Sequence, residues 1–247
     1  MASESQPRVY GERARIGLVV PSTNTVAEIE FWRMAPPGVT VHTSRLPFLP
    51  MRFDDPLGEM ERHVPRVLEE AASAEPDVIA YGCTASSAKG DPGEYRATLE
   101  AYAGTDTITA AGALVAALGA LGAARIVLVT PYPKAVNEHE CEFFAGQGID
   151  VLADESVIVD EAQYGLRHMS RVGKAPLVES AVRLALRHAP DAVVLSCSDM
   201  PTLDVIPAIE SKTGIPVISS AQALFWQALR CAGITDSLPD CGQLLAH

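Results

Sequence analysis

Two cysteines occupy matching places in the chain. Cys83 follows the run Pro76-Asp77-Val78-Ile79-Ala80-Tyr81-Gly82, and Cys197 follows Pro190-Asp191-Ala192-Val193-Val194-Leu195-Ser196. Each run opens on Pro-Asp, passes through branched apolar residues and ends in a cysteine followed by a hydroxyl residue, Thr84 or Ser198. A thiol beside loop N–H groups and a helix N-terminus is biased toward thiolate. Two such thiols facing each other with one proton between them supply a nucleophile or base together with an acid.

The apolar runs suit buried parallel strands, and the small polar residues after them suit a strand-to-loop exit. Both cysteines then stand at the carboxyl ends of core strands, the edge at which open α/β sheets bind ligands. The cysteines are 197 − 83 = 114 positions apart. Flanking segments repeat at an offset of 110: Arg15-Ile16-Gly17-Leu18-Val19-Val20-Pro21 answers to Arg125-Ile126-Val127-Leu128-Val129-Thr130-Pro131, and Thr107-Ile108-Thr109 to Val217-Ile218-Ser219. The spacing predicts two similar α/β halves, residues 1–122 with Cys83 and 123–247 with Cys197, related by a pseudo-twofold axis with the site between them.

Strand and helix patterns alternate throughout, the signature of a parallel α/β fold. Strands are expected at 16–20, 39–45, 77–82, 105–109, 126–129, 151–159 and 216–219. Helices are expected from about Val26 and at 60–74, 95–103, 113–121, 137–145, 177–188, 203–211 and 221–231. Segment 84–93 reads as a loop, and 160–175, which mixes charge with glycine, as a mobile flap over the site.

Near the first strand exit, Pro21-Ser22-Thr23-Asn24-Thr25 offers hydroxyl and amide groups. Capping of the next helix is the plain structural role; holding a carboxylate at the sheet edge is the functional one. Tyr132 stands in the second half where Ser22 stands in the first, as a packing residue or a phenol donor. Cys141 and Cys231 fall in helical patterns and Cys241 near the C-terminus, all read as structural. The six histidines lack a patterned partner.

The 247 residues carry a net charge of −12 and no basic stripe, so nucleic acid and anionic membranes are not expected partners. Residues 1–8 lack the apolar core of a signal peptide and no apolar run approaches membrane-spanning length, which points to a cytoplasmic protein. Five cysteines do not suggest a disulfide framework, and neither Cys-x-x-Cys nor His-Glu-x-x-His occurs, so no metal site is expected.

Three motifs carry a family resemblance: Val20-Pro21-Ser22-Thr23-Asn24-Thr25, Cys83-Thr84-Ala85-Ser86-Ser87, and Ser196-Cys197-Ser198 with Pro201-Thr202-Leu203-Asp204-Val205-Ile206-Pro207. Together they resemble the Asp/Glu racemase superfamily, and within it the maleate cis-trans isomerases and arylmalonate decarboxylases. The resemblance runs from about Arg15 to Gly233. It implies a cofactor-free homodimer or homotetramer with its site between the halves, acting on a small unsaturated dicarboxylate. Carried over, Cys83 is the nucleophile that adds to the double bond and Cys197 the acid/base. Ser22, Asn24, Thr84, Ser86, Tyr132 and Ser198 are the carboxylate-holding positions.

Arylmalonate decarboxylases have glycine where this chain has Cys83, which sets it apart from that branch. Racemases of amino acids and hydantoins keep both cysteines, but many follow the second with Thr and then Glu or His, where Ser198-Asp199-Met200 stands here. The isomerases tend to carry Asp-Asn in the flap, where this chain has Asp160-Glu161. The alternatives are a two-cysteine racemase, an arylmalonate-type decarboxylase, or a non-catalytic binder of small acids.

Overall fold

A computed structural model describes residues 8–157 and 169–246. The first half builds β1 (Ala14–Pro21), α1 (Ala27–Met34), β2 (Val39–Leu46), α2 (Pro56–Glu61), α3 (Val64–Ala72), β3 (Val78–Tyr81), α4 (Thr84–Ser87), α5 (Pro92–Ala103), β4 (Thr107–Thr109) and α6 (Ala110–Leu121). The second builds β5 (Arg125–Thr130), α7 (Lys134–Gly146), β6 (Asp150–Ser156), α8 (Lys174–His188), β7 (Ala192–Leu195), α9 (Ile206–Thr213), β8 (Val217–Ser219), α10 (Ser220–Cys231) and α11 (Gln243–Ala246).

Each half holds a four-stranded sheet, β2-β1-β3-β4 and β6-β5-β7-β8, with every pairing parallel. The register repeats as well. Val19 lies beside Tyr81 in one sheet and Val129 beside Leu195 in the other. β3 and β7 are buried along their whole length, which explains sequences apolar on both faces. One continuous core crosses from sheet to sheet, joining Leu18, Val20 and Ala80 to Leu128, Val194 and Phe225.

The Ala- and Leu-rich α6 and the Ser219-capped α10 lie in this shared core, where small side chains allow close approach. Phe31 of α1 meets Phe225 of α10 edge to face, 5.0 Å between centroids. Beside that contact, the buried Glu30 carboxylate takes backbone N–H groups of Thr202 and Leu203 at 2.7 and 2.8 Å and the Thr202 hydroxyl at 3.1 Å. A first-half side chain thus satisfies the backbone of the loop that follows Cys197.

Several elements differ from the sequence pattern for local reasons. The helix expected at 60–74 is two helices, because Pro65 lacks the N–H that a continuous helix would use and starts α3 instead. Its apolar face, Val64, Val67, Leu68 and Ala71, is buried as the spacing requires. The 84–93 loop contains the short helix α4, and α5, capped by Asp91, starts at Pro92, three residues before the expected start at Tyr95. The 203–211 helix begins only at Ile206, with Pro207 in its first turn. β6 ends at Ser156, short of the expected 159. The expected flap is described only from Met169 onward, where α8 already starts at Lys174; residues 160–168, including the Asp160-Glu161 pair, lie outside the described residues. Among the described residues no helix is long and apolar enough to cross a membrane.

Replacing Glu30 by Ala strands the buried N–H groups of Thr202 and Leu203, while the Thr202 hydroxyl keeps Ser219 at 2.8 Å. Urea denaturation should show a loss of about 2–4 kcal/mol, and an unchanged midpoint would mean that this clamp holds nothing.

Candidate active site

The two strands that end at the cysteines deliver both thiols to one cleft. The N–H of Gly82 donates to the Val19 carbonyl at 2.7 Å and that of Ser196 to the Val129 carbonyl at 2.9 Å, so each chain leaves its sheet in the same way. A Cβ on Gly82 would lie 3.0 Å from Val20, leaving little room for a side chain at this exit. One residue on, Cys83 caps α4, and Cys197 stands at the matching position. They are 7% and 4% exposed and line a common cavity of about 490 Å³ including its mouth.

The residues beside the cysteines bind one another. The Ser198 hydroxyl donates to the Gly82 carbonyl at 2.6 Å and receives the Asn24 side-chain N–H at 3.2 Å. Asn24 Oδ1 accepts from the N–H groups of Val26 and Ala27, both at 3.0 Å, so the capping role is fulfilled. One amide hydrogen of Asn24 remains for a ligand. The Thr84 hydroxyl lines the cavity, buried and without a hydrogen-bond partner among the described residues. A buried hydroxyl left so is costly unless a ligand or water completes it.

Of the eight expected positions, Asn24, Cys83, Thr84, Tyr132, Cys197 and Ser198 line the cavity, whereas Ser22 and Ser86 do not. Ser22 hydrogen-bonds both backbone groups of Phe48, at 3.0 and 3.2 Å, and so fixes one apolar wall. Ser86 lies behind Cys83, its hydroxyl 3.4 Å from the Cys83 carbonyl and 2.9 Å from the Tyr81 phenol oxygen. The Tyr132 phenol lies beside the Cys197 thiol on the cavity wall and favours its thiolate. That sulfur also receives the Asp199 N–H at 3.4 Å and lies 3.5 Å from Met169 Sδ.

The expected bias toward thiolate is reversed in the unliganded site. Burial lifts Cys83 above the ordinary thiol range, opposed by the hydrogen bonds from Ser86. Burial also lifts Cys197, and further, with the Asp199 charge adding to it and Tyr132 opposing. Desolvation outweighs the local donors because both thiols are largely buried. The Tyr132 phenol is raised by burial in the same way.

Two acids escaped the sequence reading. Asp199 lines the cavity and accepts the Thr25 N–H at 2.8 Å; burial raises its carboxyl to about 6, against backbone donors and Arg45. Glu140 of α7 is buried behind the site, neither oxygen in a hydrogen bond of good geometry among the described residues, and burial raises it to about 8, with the nearby Ser196 hydroxyl opposing. The only sequence signal for Glu140 is its position three residues after the equally buried Asn137 on one helical face. Phe48, Leu57, Val136 and Met169 complete an apolar wall, and no Lys, Arg or His among the described residues lines the cavity. Nor, among them, do three or more potential ligands gather to hold a metal ion.

Paired parallel sheets with two thiols at their carboxyl edges define a two-half α/β enzyme with a shared thiol site. The arylmalonate decarboxylase (Amdase) family model matches residues 78–245, and the chain belongs to that family. It is 31% identical to a maleate isomerase of Geobacillus stearothermophilus, with 94% of this chain and 97% of that protein covered. It is 30% identical to an arylmalonate decarboxylase of Bordetella bronchiseptica, covering 88% and 90%. The fold matches a Nocardia farcinica maleate cis-trans isomerase, a cysteine-to-serine mutant with a covalently bound succinylcysteine intermediate, at a TM-score of 0.83, 28% identity and coverage of 94% and 98%.

Glu140 gives a pH-dependent stability. Its carboxyl titrates near 4.5 when unfolded and about 8 when folded, so the folded state binds the extra proton between those values. Stability from this group is full below the lower value and is lost as pH rises through the upper one. Glu140→Gln should remove that loss, gaining about 3–5 kcal/mol over wild type on going from pH 4 to pH 9 in chemical denaturation. Parallel pH profiles of the two proteins would refute it.

Proposed function

We propose that this protein is a cofactor-independent cis-trans isomerase of a small unsaturated dicarboxylate, with maleate the first candidate. The observation that carries the reading is the placement of Cys83 and Cys197 on one closed cleft, joined through their neighbours Gly82 and Ser198. The relatives share this chain's length and include a protein caught as a succinylcysteine.

In this reading Cys83, as thiolate, forms a C–S bond to one alkene carbon of the bound diacid. The displaced π electrons pass onto the other alkene carbon and its carboxylate, and that carbon takes the thiol proton of Cys197. The adduct holds a single bond where the double bond stood, so the halves of the substrate rotate. Cys197, now thiolate, removes a proton from the carbon it protonated, the C–S bond breaks, and the trans-diacid leaves Cys83 as thiolate again. Protons and charge balance over the cycle, with no redox change.

Asn24, Thr84 and Tyr132 hold the carboxylates through N–H and O–H dipoles, while Ser198 fixes the site frame. Local donors are required because the chain's net charge of −12 repels a dianion. Ser22 and Ser86 support the site from outside the cavity. The enzyme is proposed to act in the cytoplasm as a homodimer or homotetramer, on the family resemblance.

Proton NMR of the protein with maleate in deuterated buffer should show the fumarate vinyl signal growing in proportion to enzyme. Cys83→Ser should abolish it, because an alkoxide is not available at neutral pH. Cys197→Ala should slow it by about 10²–10⁴-fold. Wild-type turnover in Cys83→Ser would sink the assignment.

A further inference from the structure

The two thiols sit in duplicated strands, but their surroundings differ. Counting 114 residues from one half to the other, Tyr81 corresponds to Leu195 and Ser86 to Met200. The register confirms the first pair, since Tyr81 lies beside Val19 and Leu195 beside Val129. Behind Cys83 there are hydroxyls; behind Cys197 the same positions are hydrocarbon and thioether.

Those hydroxyls form a chain. Ser86 lies one turn beyond Cys83; its Oγ is 3.4 Å from the Cys83 carbonyl and 2.9 Å from the Tyr81 phenol oxygen, and its proximity favours the Cys83 thiolate against burial. Tyr81 is wholly buried and meets the Tyr95 ring edge-on, with centroids 6.3 Å apart. Tyr95 reaches the surface, where Lys89 Nζ sits 4.2 Å from its ring centroid and pairs with Glu61. A buried phenol costs more than a phenylalanine unless its O–H is used. Here the O–H is used by a residue that touches the thiol.

We propose that Ser86, Tyr81 and Tyr95 are positioning residues that make Cys83 the thiolate member of the pair, with the Glu61–Lys89 ion pair tuning the outer end of the chain. On ionisation the thiol proton leaves through the cavity mouth to water, and the Ser86 hydroxyl turns from the Cys83 carbonyl to donate to the sulfur. Tyr81 donates to the Ser86 oxygen, which strengthens the Ser86 O–H as a donor, and the Tyr95 ring, packed edge-on, holds Tyr81 in place. Other ionisable groups also bear on Cys83. Glu140 of α7 and Glu61 disfavour its thiolate, Tyr132 and Cys197 share its cleft, Asp199 lines that cleft, and Lys89 offsets Glu61.

The inference rests on Cys83 as nucleophile, but its test needs no turnover. The rate of iodoacetamide alkylation is followed against pH, with each cysteine peptide quantified by mass spectrometry. Tyr81→Phe keeps the buried ring and should raise the Cys83 midpoint by about one pH unit, a tenfold slower reaction at neutral pH. Tyr95→Phe should raise it by less, and Glu61→Gln should lower it. The Cys197 profile should stay in place.

A Cys83 midpoint unmoved by Tyr81→Phe, with thermal unfolding unchanged, would overturn the proposal, as would equal shifts at both cysteines. Shifts of opposite sign for Tyr81→Phe and Glu61→Gln support it, since a purely structural role does not reverse sign. If maleate is not turned over while these shifts appear, the chain stands and the substrate assignment falls. Turnover with an unmoved midpoint gives the reverse.

Discussion

The hydrogen bond from the Ser198 hydroxyl to the Gly82 carbonyl fixes the site. Its donor follows Cys197 and its acceptor precedes Cys83, so one 2.6 Å contact sets how closely the two thiols face each other. Asn24 ties the β1 exit to the same hydroxyl while capping α1. Glu30 then fixes the loop four residues beyond. All of these contacts are buried, where an unmade partner is expensive and the geometry has few alternatives.

That closure has an electrostatic consequence. With water excluded, burial pushes Cys83, Cys197, Tyr132, Asp199 and Glu140 all toward their neutral forms. At neutral pH the unliganded site thus holds neutral thiols, a neutral phenol and a neutral Glu140, while Asp199, raised only to about 6, keeps its charge. An entering dianion meets hydroxyl and amide dipoles, which are worth more in a dry cavity than in water. The same dryness favours transfer of a proton between carbon and a nearby thiol over exchange with solvent.

The architecture was legible because buried parallel strands write themselves as apolar runs, and because duplication wrote them twice. The offsets of 110 and 114 located both thiols at the carboxyl edge before any geometry. What stayed hidden is set by contacts across long sequence separations. Ser198 reads as a carboxylate ligand until Gly82, 116 residues away, takes its hydrogen. Glu30 and Glu140 look like ordinary helix-surface acids, since composition cannot reveal that a second half covers them. Burial also decided the thiols against the local donors, a contest that strand and helix patterns do not record. Pro65 was visible and broke its helix, but the apolar face ran on in register beyond it.

Duplication poses a problem that the site has to solve. Two thiols in equivalent surroundings would hold one proton equally, and neither would be reliably nucleophile or acid. The halves differ where this matters. Ser198 spends its hydroxyl on Gly82, but its counterpart Thr84 makes no matching bond to Ser196 and keeps its hydroxyl on the cavity. Cys197 instead meets Met169 and the Asp199 backbone, with a carboxyl nearby that disfavours its thiolate. The proton is therefore held more firmly at Cys197. A twofold frame supplies matched positions, and unmatched neighbours assign them separate parts of one reaction.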